Sequence, residues 1–287
     1  MAVQKIAVIG GGTMGSGIAL TAATHGIQSV IVDIHEEQLT RAQAYHAKQI
    51  ARSIQKERMS ETDGKAATKN LSYVSSMEDA NDADWVVEAA TENVAIKKSI
   101  FKSMERAFGP TTVLATNTSS ISITDLASAI PDASHRVIGM HFFNPVPIMK
   151  LVEVIQGKKT SEETTNATLA LSESMGKIPV PAHDFAGFVS NRVLMPMINE
   201  AFHAWTDGVA EPKDIDSIMK LGCAFPMGPL RLADYIGLDV CRDIMMVMYN
   251  GLEENPKYLP NQKLVALVEA GHLGDKSGQG VYEYEKG

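Results

Sequence analysis

The stretch Asn117-Thr118-Ser119-Ser120 is followed by His141-Phe142-Phe143-Asn144-Pro145 and then by Leu151-Val152-Glu153-Val154. These segments set a hydroxyl, an imidazole, an amide and a carboxylate close together along the chain. Such groups can take a proton from a hydroxyl while hydride leaves the same carbon. A carboxylate on one ring nitrogen fixes the imidazole tautomer and stabilises the imidazolium, leaving the other nitrogen to accept the proton. General-base assistance of this kind is worth about 10²–10⁴ in rate. Glu153 lies twelve residues after His141, beyond a turn holding Pro145 and Pro147, on a predicted strand that can return past the histidine. The bland alternatives are a structural histidine at a strand end and a strand carboxylate facing solvent.

A hydride acceptor has a place at the start of the chain. Gly10-Gly11-Gly12-Thr13-Met14-Gly15 follows a predicted strand and opens a predicted helix. Gly10 permits the tight turn, Gly12 lets a pyrophosphate approach the backbone, and Gly15 lets helix pack on strand, with Met14 on the same turn. The N–H groups at the helix start face the negative phosphates. Asp33 ends the next predicted strand, about twenty residues on, where its carboxylate can bond the adenosine ribose hydroxyls. It would repel a 2′-phosphate, so NAD is favoured over NADP.

The elements that must carry these groups show as alternating patterns. Short apolar runs at 6–9, 30–32, 85–88, 112–115 and 137–140 are separated by amphipathic stretches, the longest at about 36–58. That alternation predicts an α/β fold with a mostly parallel, Rossmann-type sheet. Later strands are predicted at 150–155 and 178–180, with a helix over 162–175 stopped by Gly176. In an open α/β sheet, ligands sit beyond the carboxyl ends of the strands. Ser119 and His141 each follow such an end. The other seven histidines are expected on helices or loops.

Helical periodicity takes over near residues 183–187, which predicts a first domain over 1–184 and an all-helical second domain over 185–287. Helices are expected at 187–207, kinked by Pro196, and at 212–221, 229–236, 238–251 and 261–270. Met245, Met246, Val247 and Met248 are consecutive, and four such residues cannot all face the core of one helix. A subunit interface and full burial are equally good readings of that run. On the helix after Asp33, Lys48, Arg52 and Lys56 recur every four residues and share one face. That stripe suits an anion or is a solvated face.

Composition narrows the class. The chain has 287 residues, 45% of them hydrophobic and 21% charged, which is ordinary for a soluble globular protein. A net charge of -8 argues against a general nucleic-acid binder. Cys223 and Cys241 have no metal-ligand spacing around them, so no metal is expected, and two thiols in this length suit a reducing compartment. No leader pattern precedes the first strand, and no apolar run approaches the roughly 18 residues needed to span a bilayer. A cytoplasmic protein without membrane attachment is the expectation.

Five motifs together resemble one family. Gly-Gly-Gly-Thr-Met-Gly, Asn-Thr-Ser-Ser, His-Phe-Phe-Asn-Pro-Val-Pro, Lys-Leu-Val-Glu-Val-Ile and Gly-Phe-Val-Ser-Asn-Arg stand in the order and approximate spacing of the short-chain L-3-hydroxyacyl-CoA dehydrogenases. The chain looks most like the bacterial 3-hydroxybutyryl-CoA dehydrogenases, over essentially its whole length. The resemblance implies NAD-dependent, reversible oxidation of a short 3-hydroxyacyl-CoA. It makes His141 the general base and Glu153 its orienting partner, with Ser119 and Asn191 holding the substrate. It assigns Asp33, Glu92, Lys97, Asn144 and Lys276 to the dinucleotide. It also puts CoA contacts on the helix of Lys48, Arg52 and Lys56, and implies a homodimer through the helical domain. Alternatives are a dehydrogenase of 3-hydroxyadipyl-CoA or of a CoA-free sugar acid, and a non-catalytic NAD-binding protein. The chain departs from the family at Phe185-Ala186, where relatives commonly carry Thr-Pro, and is one residue longer around Pro131-Asp132-Ala133-Ser134.

Overall fold

Short β-branched runs that end in turn residues pair side by side. In the computed structural model, which describes residues 3–284, they form one sheet. Its strands are β1 (Lys5–Ile9), β2 (Gln28–Val32), β3 (Leu71–Val74), β4 (Trp85–Glu88), β5 (Val113–Thr116), β6 (Val137–Phe142), β7 (Leu151–Gln156) and β8 (Ile178–His183). The helices beside them are α1 (Thr13–Thr24), α2 (Glu36–Gln55), α3 (Glu61–Lys69), α4 (Val94–Ala107), α5 (Ile123–Ala127) and α6 (Glu162–Ser174). The strand order is β3-β2-β1-β4-β5-β6-β7-β8. The first six strands are parallel, β7 turns back antiparallel to β6, and β8 runs parallel to β7. The chain therefore leaves β1 in opposite directions along the sheet, and the crevice between β1 and β4 is a topological switch point.

The strands are apolar on both faces, as a sheet covered on both sides requires. Ile6, Val8, Ile31, Val87, Ala115, Ile138 and Val154 form one core with Ile18, Ala19 and Ala22 of α1 and Leu171 of α6. At the far edge, Pro179 and Pro181 occupy alternate positions of β8. Ile178 and Asp184 donate their N–H groups toward β7, so the prolines fall on the residues that face away from it.

Several elements differ from the sequence expectation. The helix expected over 36–58 stops at Gln55 because Glu57 is left-handed, at φ 55°. Ser60 then caps a second helix, α3, by accepting the Asp63 N–H at 3.0 Å. Gly64 lets α3 close on α2, since a Cβ there would lie 2.6 Å from Ile54 Cδ1. The strand β3 was not expected; its four residues are only half-buried or exposed, so the apolar signal is weak. His183, expected on a helix or loop, ends β8, but its strand runs opposite to β6, so it emerges at the opposite end of the strands from His141.

The chain divides into two compact units, the first ending at Asp184 and the second beginning at Phe185. The second unit is helical: α7 (Ser190–Thr206), α8 (Pro212–Gly222), α9 (Pro229–Ile236), α10 (Leu238–Gly251) and α11 (Gln262–Glu269). The start expected at 187 moves to 190 because Gly187 and Phe188 both have positive φ, 79° and 48°. The helix then runs through Pro196. The apolar run of α10 is divided: Met245 and Met248, one turn apart, join the unit's core, while Val247 is exposed. Asp234 is buried beneath the C-terminal segment and accepts the N–H groups of Val281 and Tyr282 and the Tyr284 hydroxyl.

Candidate active site

The glycine turn joins β1 to α1, and each of its three spaced glycines meets a different constraint. Gly10 has φ +107°, and a Cβ there would lie 2.8 Å from Ala89 O, in the loop after β4. A Cβ at Gly15 would sit 2.0 Å from Gly10 O. Around Gly12 a Cβ would meet nothing within 4 Å, and Gly12 caps α1 without any side-chain hydrogen bond. An open helix N-terminus with uncapped N–H groups is an anion seat, so the residues present fit a dinucleotide pyrophosphate. Met14 packs its side chain against the sheet core. Asp33, one residue past β2, accepts the Gly11 N–H at 2.7 Å and the His35 N–H at 2.9 Å. Its carboxylate thus braces the turn at the position where a ribose hydroxyl would be read.

His141 and Glu153 are register partners across the antiparallel β6–β7 pair. Directly opposed residues bring their Cβ atoms to about 5 Å, close enough for imidazole and carboxylate to meet. His141 Nδ1 lies 2.7 Å from Glu153 Oε2, and both residues are buried. This contact assigns the Nδ1 proton to the carboxylate side and makes Nε2 the basic nitrogen of the neutral ring. The Phe143 ring lies 4.5 Å from the imidazole, centroid to centroid, tilted by 43°.

Ser119 lies in the loop between β5 and α5, and Glu92 shapes that loop. Glu92 Oε1 accepts from Thr118 Oγ1 at 2.6 Å, from the Ser119 N–H at 2.9 Å, and from the Ser119 and Ser120 hydroxyls at 3.2 and 3.3 Å. Lys97, on α4, is 1% exposed; its Nζ lies 2.5 Å from Glu88 and 3.6 Å from Glu92. Asn117 ties this loop to the histidine strand, because its Oδ1 accepts the Phe142 N–H at 2.9 Å. Asn144 is exposed in the turn after β6, just before a cis bond to Pro145. Lys177 holds that turn, donating to Val146 O and to Met149 O.

The other expected site residues lie on α2 and in the helical unit. Lys48, Arg52 and Lys56 are exposed along α2 and its C-cap. A cavity of about 810 Å³ between α2, α3 and β3 opens on a different face of α2, lined by His46, Ile50, Ile54, Leu71 and Tyr73. In the helical unit, Asn191 is buried in the first turn of α7 and Lys276 pairs with Asp239 at 2.6 Å.

Two residues at the site went unnoticed in the sequence. Glu88 ends the apolar run Trp-Val-Val-Glu and is wholly buried; a carboxylate closing an otherwise apolar strand was the available signal. Asp184 accepts from Ser122 Oγ, Ile123 N–H and Thr124 N–H, so it caps α5 from across the chain. Sixty residues separate these partners, and no spacing rule connects them.

Comparison with known proteins covers both units. Residues 5–185 match the 3-hydroxyacyl-CoA dehydrogenase NAD binding domain, and residues 187–284 match the C-terminal domain of the same family. A probable 3-hydroxybutyryl-CoA dehydrogenase of Bacillus subtilis is 50% identical over 286 residues, covering 100% of this chain and 99% of that protein. The crystal structure of (S)-3-hydroxybutyryl-CoA dehydrogenase from Ralstonia eutropha superposes with a TM-score of 0.96 at 45% identity, covering 99% of this chain and 100% of that one. The 3-hydroxyadipyl-CoA dehydrogenase of Escherichia coli is 44% identical over 283 residues, covering 98% of this chain and 59% of that protein.

Proposed function

The chain belongs to the 3-hydroxyacyl-CoA dehydrogenase family, and from its site we propose the NAD-dependent, reversible oxidation of short (S)-3-hydroxyacyl-CoA thioesters such as 3-hydroxybutyryl-CoA to 3-oxoacyl-CoA. The observation that carries this reading is the buried His141–Glu153 pair, with Nδ1 2.7 Å from Oε2. Bound NAD supplies the hydride acceptor; Gly10, Gly12, Gly15 and Asp33 hold its phosphates and ribose, with Met14, Glu92, Lys97, Asn144 and Lys276 as further contacts.

His141 Nε2 takes the proton of the 3-hydroxyl as its carbon gives up hydride. Glu153 keeps the ring in the tautomer that can accept it and balances the charge of the imidazolium. In the reverse direction the protonated ring polarises the 3-ketone and returns the proton to its oxygen. Ser119 and Asn191 position the 3-oxygen or the thioester. Lys48 and Arg52 on α2 and Lys56 at its C-cap offer three exposed cations to the CoA phosphates.

The helical unit is read as the face through which two copies of the chain pair, supported by exposed Ile218 and Leu221 on α8, 62% and 87% accessible. The cytoplasm is the expected location; among the described residues no helix is long and apolar enough to cross a membrane. A second reading, in which the acyl group is 3-hydroxyadipyl, is favoured by the Escherichia coli relative alone.

The test is NADH oxidation with acetoacetyl-CoA. The parent protein turns over, and His141→Ala loses about 10²–10⁴ in kcat while still binding NADH. Turnover near the parent rate in that variant would end the assignment. Comparing kcat/KM for 3-hydroxybutyryl- and 3-hydroxyadipyl-CoA separates the two readings.

A further inference from the structure

Glu88 lies outside the groups that meet substrate, yet three parts of the site converge on it. It ends β4 in register with Thr116 at the end of β5 and Ile9 at the end of β1. Its side chain is 0% exposed. Oε1 accepts the Ala90 N–H at 2.8 Å, while Oε2 accepts Lys97 Nζ at 2.5 Å and Thr116 Oγ1 at 2.7 Å. Its main-chain carbonyl accepts the Asn117 N–H at 2.8 Å. A carboxylate this dry is tolerable only because cation, hydroxyl and amide together replace its water.

Lys97 stands between two carboxylates, 2.5 Å from Glu88 and 3.6 Å from Glu92. Attraction between charges falls with separation and is weakly screened in a buried site. Glu88 therefore holds the ammonium at β4 and limits its pull on Glu92. Glu92 can then spend Oε1 on Thr118, Ser119 and Ser120. Remove the charge at Glu88 and the buried cation has Glu92 as its counter-ion, which draws that carboxylate from the Ser119 loop.

We propose that Glu88 is a positioning residue for the reaction, setting Ser119 through Lys97 and Glu92. The proposal rests on the reading of Ser119 as a substrate-holding residue.

The test is a double-mutant cycle between Glu88→Gln and Ser119→Ala, read by kcat with acetoacetyl-CoA and NADH, with NADH affinity followed by fluorescence. Glu88→Gln keeps the side-chain shape and removes the charge. Alone it lowers kcat about tenfold and moves the NADH Kd by less than about threefold. In the Ser119→Ala background it adds no further loss, because both changes act on one contact. A purely structural role for Glu88 gives losses that multiply, and that result overturns the proposal while leaving the role of Ser119 intact. If Ser119→Ala itself turns over at the parent rate, the reading of Ser119 fails first and takes the proposal with it. Where Glu88→Gln does not fold, Glu88→Asp keeps the charge but draws it back from Lys97, weakening its hold on the ammonium. It enters the same cycle, with the same absence of added loss expected and multiplying losses again overturning the proposal.

Discussion

His141 and Glu153 face each other across two antiparallel strands, so backbone register alone brings Nδ1 to 2.7 Å from the carboxylate. Neither side chain depends on a flexible loop for its place. Glu153→Gln leaves an acceptor for the Nδ1 proton but removes the charge that stabilises the imidazolium. The expected outcome is a kcat lower by about 10² or more, with NADH affinity unchanged. Stopped-flow turnover within about twofold of the parent would show that the pair is structural only.

The exposed cations of α2 give a second prediction. Arg52→Glu combined with Lys56→Glu should raise KM for acetoacetyl-CoA about tenfold or more, as expected from losing two charge-assisted contacts and adding repulsion. The effect should shrink with added salt. KM for an acetoacetyl thioester lacking the nucleotide should not move. An unchanged KM for the CoA ester would remove CoA from this helix.

Much of this arrangement was legible before any coordinates, and for identifiable reasons. Short apolar runs and helical patterns located the strands that end beside Gly10, Ser119 and His141, because strands buried on both faces read as continuous apolar segments. The histidine and its carboxylate were legible because a turn of fixed reach separates them. What stayed hidden depends on pairing over long range or on backbone conformation. Positive φ at Glu57 divided one helical stretch into α2 and α3, and positive φ at Gly187 and Phe188 delayed α7. The Asp184 cap on α5 and the Glu88–Lys97 pair arise only when distant segments meet.

The two thiols should behave differently. Cys223 is exposed, whereas Cys241 is buried, and burial with nearby Asp239 and Asp234 pushes its thiol up to about 12. Iodoacetamide at pH 8 should therefore label Cys223 alone, since the thiolate is the nucleophile and needs access. Peptide mass mapping should find Cys241 modified only after unfolding in guanidinium. Labelling of Cys241 in the native protein at a comparable rate would contradict its packing.

His46 supplies a dependence on pH. Burial lowers its pKa below the ordinary value, although its ring bonds Ser16 O at 2.8 Å and Tyr73 Oη at 2.7 Å. A histidine held neutral in the fold stabilises it fully above the unfolded value of about 6.5. That contribution is lost as pH falls from there toward the lowered folded value, because the unfolded chain then binds the extra proton. Melting temperature should drop between pH 7.5 and 5.5, and His46→Gln should flatten part of that drop. Equal slopes in parent and variant would exclude His46 as a source.

Pro179 and Pro181 on β8 give the sheet a stopping rule. A further strand laid along that edge would meet two missing donors in succession, and a zipper of main-chain bonds cannot bridge such a gap. Partly opened molecules, whether freshly synthesised or heat-stressed, are thus denied one route to stacking into fibrils. The enzyme can carry its buried apolar strands without that border recruiting its neighbours.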